Sequence, residues 1–173
     1  MSLRPHVVFW LIWSLCAGAA CSRGSSSREG AEGDSAGRSA QGNDAAIRNV
    51  LAGARALAQP GAAVDYVAAE MEGVIKARTQ SQVLMYYEGY RVTMTTPSDR
   101  VTQITFDLVE AKPTIEQLDQ ALGTPKPVRK GMLYEYDSAT TKAKILILAE
   151  PVSMPAEAGS LVRRIVIEGA PTR

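Results

Sequence analysis

The spacing of apolar residues changes from helical to alternating near residue 80, and this change constrains the fold more than any other feature. Before it, apolar residues recur at helical spacing in two segments, Ile47 to Ala58 and Val64 to about Arg78. Asp44 is placed to cap the first segment, and Pro60-Gly61 separates the two. After residue 80 the apolar residues alternate with polar ones, as in β-strands. The chain therefore predicts a helical pair followed by a sheet.

Six segments beyond residue 80 have the β-branched and aromatic content of strands. They are 83–88, 90–96, 100–109, 130–137, 144–150 and 161–168. The segment Arg100 to Val109 alternates strictly, which is typical of an antiparallel sheet with one covered face. Ile145 to Leu148 is apolar on both faces, which predicts a central strand. The loop from Pro151 to Gly159 is long, and we expect it to be flexible.

A third helix is predicted from Thr114 to Leu122, between the third and fourth strands. Thr114 is its expected N-cap, Gln117 occupies the capping-box position, and Gly123 is the expected stop. The chain thus predicts an α+β fold in which helices pack on one face of an antiparallel sheet of about six strands. The element order is α-α-β-β-β and then α-β-β-β.

A weak internal similarity relates the two halves, about 45–112 and 113–173. Residues 83–88 resemble 131–136, and residues 100–106 resemble 161–167. A tandem repeat would explain this, but so would two unrelated β-meanders, because antiparallel hairpins share their composition for physical reasons.

Residues 1–20 have the layout of a secretory signal: a basic start with Arg4, an apolar run from Val7 to Trp13, and small residues from Ala17 to Ala20. The apolar stretch is roughly half of the about 20 residues that a membrane-spanning helix needs. We therefore expect export rather than a permanent transmembrane helix.

Gly18-Ala19-Ala20-Cys21 resembles the lipobox of bacterial lipoproteins. The resemblance implies cleavage between Ala20 and Cys21 and attachment of lipid, including acyl chains such as palmitate, to Cys21. In Gram-negative systems an Asp after this cysteine retains a lipoprotein at the inner membrane. Here Ser22 follows, which favours the outer membrane, facing the periplasm. The alternative is an ordinary secretory signal that leaves Cys21 as a free thiol.

The segment 21–44 consists mainly of small and charged residues and is predicted to be a flexible linker. The remainder, 45–173, has the size of one domain. Once residues 1–20 are removed, no His or Trp remains and Cys21 is the last Cys. These absences exclude a disulfide, a Cys or His zinc site and a Ser-His or Cys-His nucleophile.

The 19 basic and 18 acidic residues nearly balance and are scattered, so no nucleic-acid footprint is evident. The missing His and Trp side chains, the single remaining Cys and this charge balance together lead us to expect no metal, no cofactor, no nucleic acid and no enzymatic activity.

Tyrosines are the candidate partner-binding residues, since five of six lie in the first two strands of the first half and the first strand of the second half. They are Tyr86, Tyr87, Tyr90, Tyr134 and Tyr136. The alternative is that their rings cover the edge of the core while their hydroxyls are exposed to solvent.

Two sets of charged residues are further candidates for a functional site. Glu88 and Glu135 would form a hydrolytic pair only if they faced one cleft about 5 to 9.5 Å apart. Lys126, Arg129 and Lys130 form a small basic group that could meet anionic headgroups or an acidic partner, although a solvated loop is the simpler explanation.

The second half carries a family resemblance. Leu122-Gly123-Thr124-Pro125, the strand Leu133-Tyr134-Glu135-Tyr136 and the closing strand 161–167 resemble small outer-membrane assembly lipoproteins of the BamE (SmpA/OmlA) type. The α-βββ tandem is similar to the β-lactamase-inhibitor-protein architecture. These resemblances imply a non-catalytic, membrane-anchored binding or scaffold lipoprotein in envelope assembly, with another envelope protein as partner. The alternatives are an inhibitor-type lipoprotein and an envelope hydrolase using carboxylates.

Overall fold

The computed structural model describes residues 32–169, with side chains from residue 40 onward. This part of the chain forms three α-helices, a short 3₁₀ turn at Pro97–Asp99 and eight β-strands. The helices are α1 Glu32–Leu57, α2 Val64–Glu70 and α3 Ile115–Leu122. The strands are β1 Ile75–Arg78, β2 Gln82–Tyr87, β3 Tyr90–Thr95, β4 Gln103–Leu108, β5 Lys126–Val128, β6 Gly131–Asp137, β7 Lys144–Pro151 and β8 Val162–Gly169.

The eight strands form one sheet in the order β1-β2-β3-β4-β8-β7-β6-β5, with every neighbouring pair antiparallel. The predicted α+β class is confirmed, whereas the predicted number of about six strands is wrong. The order is symmetric about the β4–β8 pair, where Thr105 lies opposite Val166. Each half of the chain thus supplies four strands rather than three.

The helices cover only one face of this sheet. Alternate residues of each strand point to opposite faces, and in β2 to β4 and β6 to β8 the buried positions fall on the helix-covered face. Val92, Ile104, Phe106, Ile147 and Ile167 are fully buried there. None of the side chains that these strands direct to the other face, hereafter the open face, is buried.

A β-bulge at the start of β8 shifts the alternation of its side chains between the two faces by one residue. Glu150 lies opposite Arg164 and Pro151 lies opposite Val162, so Arg163 is the extra residue. The bulge places Val162 in the core, where it is fully buried, although strict alternation would have put it on the open face.

Helix α1 begins well before the predicted cap at Asp44, so the predicted linker 21–44 overlaps the helix from residue 32 onward. The overlapping segment has almost no apolar residues, so hydrophobic periodicity could not reveal it. Asn43 joins it to the domain: its Oδ1 accepts from the Lys112 backbone N–H at 2.7 Å, and its Nδ2 donates to the Lys112 carbonyl at 3.4 Å.

The second predicted helix is shorter than expected. It ends at Glu70, and Ile75–Arg78 forms strand β1 instead. Glu72 has a φ of 51°, in the left-handed region that stops a helix. A Cβ at Gly73 would collide with the hydroxyl of Tyr87 and the sulfur of Met85, so a larger residue here would displace those side chains.

Strand β5 was not predicted, because it has only three residues and contains Pro127. The opposite edge strand, β1, has four residues and an irregular register against β2. Short edge strands with a proline or a register break expose few open hydrogen-bonding groups. Both edges of the sheet are therefore poor sites for adding another strand.

Helix α3 confirms the predicted capping box. The Gln117 backbone N–H donates to Thr114 Oγ1 at 3.2 Å, and the Thr114 N–H donates to Gln117 Oε1 at 2.9 Å. Gly123 ends the helix with a φ of 89°. Among residues 32–169, no helix is long and apolar enough to cross a bilayer. The predicted signal and the predicted lipid site Cys21 lie outside the described residues.

Candidate functional site

Tyr87 and Tyr90 form a stacked pair on the helix-covered face. Their ring centroids are 4.8 Å apart and their planes are 3° from parallel. The hydroxyl of Tyr87 donates to the Met71 carbonyl at 3.1 Å, and the hydroxyl of Tyr90 accepts from Asn49 Nδ2 at 2.8 Å. Tyr90 is only 3% exposed. Both rings are therefore held in place by packing and by a hydrogen bond.

Tyr134 and Tyr136 also point to the helix-covered face, on β6. Tyr134 is 1% exposed, and its hydroxyl donates to Asp119 Oδ1 of α3 at 2.8 Å. Burial, followed by the hydrogen bond to this carboxylate and its charge, raises the pKa of Tyr134 well above the usual value. Tyr136 is partly buried against the core. These two rings join β6 to the interior of the domain.

Tyr86 is the one tyrosine of the five on the open face, and it is 55% exposed. The structure therefore does not bring the five candidate tyrosines together. Four lie on the helix-covered face, as the core alternative expects, but the hydroxyls of Tyr87, Tyr90 and Tyr134 bond to protein groups instead of facing solvent. Tyr86 remains as an exposed aromatic side chain. Strand alternation separates Tyr86 from its neighbour Tyr87.

The open face carries a row of side chains that the sequence did not identify as a site. Leu84, Thr93, Thr105, Val166, Leu148 and Leu133 lie opposite one another in β2, β3, β4, β8, β7 and β6. We call this set the open-face row. All six are partly exposed. With neighbouring strands about 4.8 Å apart, the row is about 24 Å long.

In the sequence, this row was indicated by the four consecutive apolar residues from Ile145 to Leu148. Ile145 and Ile147 are buried under the helices, whereas Leu146 and Leu148 are directed to the open face. The segment was predicted to be a central strand; β7 is an interior strand between β8 and β6, and the two central strands are β4 and β8. Apolar residues on its second face indicate a surface that would also benefit from being covered.

A first charge network lies beside the open-face row, on β3, β4 and β8. Arg91 Nε donates to Asp107 Oδ2 at 3.1 Å, and Arg164 Nε donates to Asp107 Oδ1 at 2.9 Å. Partial burial by itself would raise the pKa of Asp107, but the hydrogen bonds and charges of Arg164 and Arg91 outweigh it and lower that pKa. The carboxylate therefore stays ionised between two guanidinium groups.

A second charge network lies at the other end of the face, on β5 to β7. Glu135 accepts from Lys126 Nζ at 2.7 Å, and Lys144 Nζ lies 2.6 Å from its second oxygen. Hydrogen bonds from Lys126 and then Lys144 lower the pKa of Glu135 to about 2. The same contact raises the pKa of Lys144.

The hydrolytic pair does not form. Glu88 is exposed in the β2–β3 turn, and Glu135 lies on β6. Strands β2 and β6 are five strand spacings apart, about 24 Å. Glu88 and Glu135 therefore cannot act on one bond.

The three residues of the predicted basic group also do not act together. Lys126 is held by Glu135, whereas Arg129 and Lys130 are exposed in the β5–β6 turn. Within residues 32–169, no group of three or more His, Cys, Asp or Glu side chains is placed to hold a metal ion. The part of the chain that the structure describes therefore offers the open face as its most extensive candidate site. Comparison with known proteins found no matching family model, no matching curated protein and no matching solved structure.

Proposed function

We propose that this chain is a non-catalytic lipoprotein that binds another cell-envelope protein through the open face of its sheet. In this proposal the lipid on Cys21 holds the domain at a membrane, in typical Gram-negative cells the periplasmic side of the outer membrane, where it acts as a scaffold in envelope assembly. The observation that carries the binding part is the open-face row, whose aliphatic side chains Leu84, Val166, Leu148 and Leu133 remain partly exposed.

The arrangement of this face matches the anatomy of a protein interface. Such interfaces have an apolar centre and a polar rim, and Tyr and Arg are enriched among the side chains that dominate binding. Here Val166, Leu148 and Leu133 form a continuous apolar stretch on β8, β7 and β6, with the charge networks of Asp107 and Glu135 beside it. Tyr86 and Arg91 stand next to each other across β2 and β3 at one side.

The charges on this face favour an apolar contact over an electrostatic one. Asp107 and Glu135 are each shared by two cations, and Glu150 Oε2 lies 3.9 Å from Arg163 Nη2. Charges paired within one surface have less left to offer a partner. We therefore expect the partner to present aliphatic or aromatic side chains to the row.

The edges of the sheet support the same choice of surface. A partner that adds a strand needs an open, regular edge. Strands β1 and β5 are short, and β5 contains Pro127. Binding across the face needs no free edge.

The test is affinity purification from membranes of cells expressing the full chain with a C-terminal tag. Leu148→Glu places a charge among the aliphatic side chains of the open-face row, and Gln120→Glu places the same charge at an exposed position of α3. We expect envelope proteins to be recovered with the native chain and with Gln120→Glu, and to be lost with Leu148→Glu. Equal recovery with Leu148→Glu, in a variant whose circular dichroism is unchanged, would contradict binding through this face.

The anchor is tested separately with Cys21→Ala. We expect labelled palmitate to be incorporated into the native chain and not into this variant, and the envelope partners to be recovered only with the native anchor. A native chain that takes up no label would overturn the lipoprotein part of the proposal while leaving the open-face test unaffected.

A further inference from the structure

A small pocket lies on the opposite side of the sheet from the open face, between α1, the α2–β1 turn and the β2–β3 turn. Its volume is about 260 Å³. Arg48 and Asn49 line it from α1, Glu72 from the α2–β1 turn, and Tyr87, Glu88 and Tyr90 from the β2–β3 hairpin. We call it the tyrosine pocket. It is close to the lower limit of about 300 Å³ for small-molecule sites, so its ligand must be small.

The aromatic part of the lining is preorganised. The stacked Tyr87 and Tyr90 rings are fixed by the hydrogen bonds to Met71 and Asn49 described above. Because both hydroxyls already have partners, the rings have no local reason to rotate when a ligand enters. A rigid site loses little conformational entropy on binding.

Opposite charges border this ring pair. The positive charge of Arg48 acts on Tyr90, where it partly offsets the burial that raises the Tyr90 pKa to about 12. The negative charge of Glu72 acts on Tyr87, whose pKa is raised by burial, then by Tyr90, and then by Glu72. Arg48 and Glu72 are both exposed and line the pocket from α1 and from the α2–β1 turn.

These charged groups do not neutralise one another by direct contact. Among the described residues, neither Arg48 nor Glu72 nor Glu88 has an ion-pair partner within 4.0 Å. They therefore keep their charges available across a pocket of about 260 Å³. This differs from the open face, where Asp107 and Glu135 are each held between two cations.

We propose that the tyrosine pocket binds a small zwitterion of amino-acid or dipeptide size. Its carboxylate pairs with Arg48, and its ammonium group lies at Glu72 and Glu88 beside the tyrosine rings. A guanidinium group recognises a carboxylate through two parallel hydrogen bonds. An ammonium group is attracted by carboxylates, here those of Glu72 and Glu88. The pocket supplies both kinds of partner within one small volume.

The test uses alanyl-alanine and its two singly charged forms, titrated calorimetrically into the full chain purified in detergent. The N-acetylated dipeptide keeps only the carboxylate, and the dipeptide amide keeps only the ammonium group. We expect saturable binding of the free dipeptide and at least tenfold weaker binding of each blocked form. Because this comparison uses the native chain, it does not depend on how any variant folds.

Two substitutions then locate the site. We expect Arg48→Gln and Glu72→Gln each to weaken dipeptide binding at least tenfold. The matched controls, Arg129→Gln in the β5–β6 turn and Glu116→Gln on α3, should bind as the native chain does, since both positions are exposed and away from the pocket.

Three results would overturn the proposal. The first is no saturable binding of the dipeptide up to about 10 mM, well above the roughly 1 mM dissociation constant of a weak ligand. The second is equal binding of the dipeptide and either blocked form. The third is native-like binding by Arg48→Gln. Failure of the open-face experiment would leave this proposal unchanged, because the two sites share no residue.

Discussion

The hydroxyl of Tyr90 accepts a hydrogen bond from Asn49 at 2.8 Å and thereby joins the first residue of β3 to the middle of α1. The two residues are 41 positions apart in the chain. The contact therefore reports directly on how the long helix docks onto the sheet.

We expect a double-mutant cycle on Tyr90→Phe and Asn49→Ala to give a coupling of about 0.5–1.5 kcal/mol in the free energy of unfolding, measured in urea. Tyr86→Phe is the control, because its hydroxyl is on an exposed side chain and should change stability by less than about 0.5 kcal/mol. A coupling near zero would show that the helix docks without this bond.

The two faces of β7 should respond differently to truncation. Ile147→Ala should lower the free energy of unfolding by about 2–5 kcal/mol, since Ile147 is fully buried under the helices. Leu148→Ala, one residue along and partly exposed on the open face, should cost about 1 kcal/mol. Equal losses in urea unfolding would mean that the second face is covered as well as the first.

The contribution of the α3 N-cap to stability can be measured separately. Thr114→Ala removes the side chain that accepts from the Gln117 backbone N–H and should cost about 1 kcal/mol in thermal unfolding. Thr124→Ala, exposed just beyond the end of the helix, should be within about 0.5 kcal/mol of the native chain. A neutral Thr114→Ala would indicate that packing alone fixes this helix.

Acid should destabilise the fold through Glu135. Its pKa is lowered in the folded state from 4.5 to about 2, so its contribution is present above pH 4.5 and is lost as the pH falls toward 2. We expect Glu135→Gln to make the free energy of unfolding less dependent on pH between these values, as measured by urea unfolding at a series of pH values.

The matched control for this pH dependence is Glu157→Gln, in the exposed loop before β8, where no ion pair is present among the described residues. Its pH profile should follow that of the native chain. If Glu135→Gln followed the native profile as well, the contact with Lys126 and Lys144 would not persist in solution.

The sequence predicted elements where local chemistry and periodicity agree. Thr114 and Gln117 define the start of α3 by their own hydrogen bonds, and the alternation from Arg100 to Val109 marks β4. Strand β1 was predicted as helix because Val74 and Ile75 continue the helical spacing, and only the turn at Glu72 and Gly73 breaks it.

Register was harder to predict than the strands themselves. Pairing residues 83–88 with 131–136 matches Tyr86 with Tyr134, yet these lie on opposite faces. The symmetric strand order instead relates Leu84 to Leu133, both in the open-face row, so the sequence alignment is shifted by one residue. A shift of one residue exchanges the two faces of a strand, which is why the tyrosines were grouped and the aliphatic row was missed.

The short edge strands β1 and β5 affect how copies of this domain can associate when they are close together. Proteins held at high density can polymerise by joining sheet to sheet along open edges, and the growing fibre then needs a regular strand at each end. Strand β1 is interrupted between Ile75 and Ala77, and β5 presents Pro127, which has no N–H to donate. Copies of this domain packed closely on one surface are therefore poorly suited to joining edge to edge, and any contact between them has to use another part of the molecule.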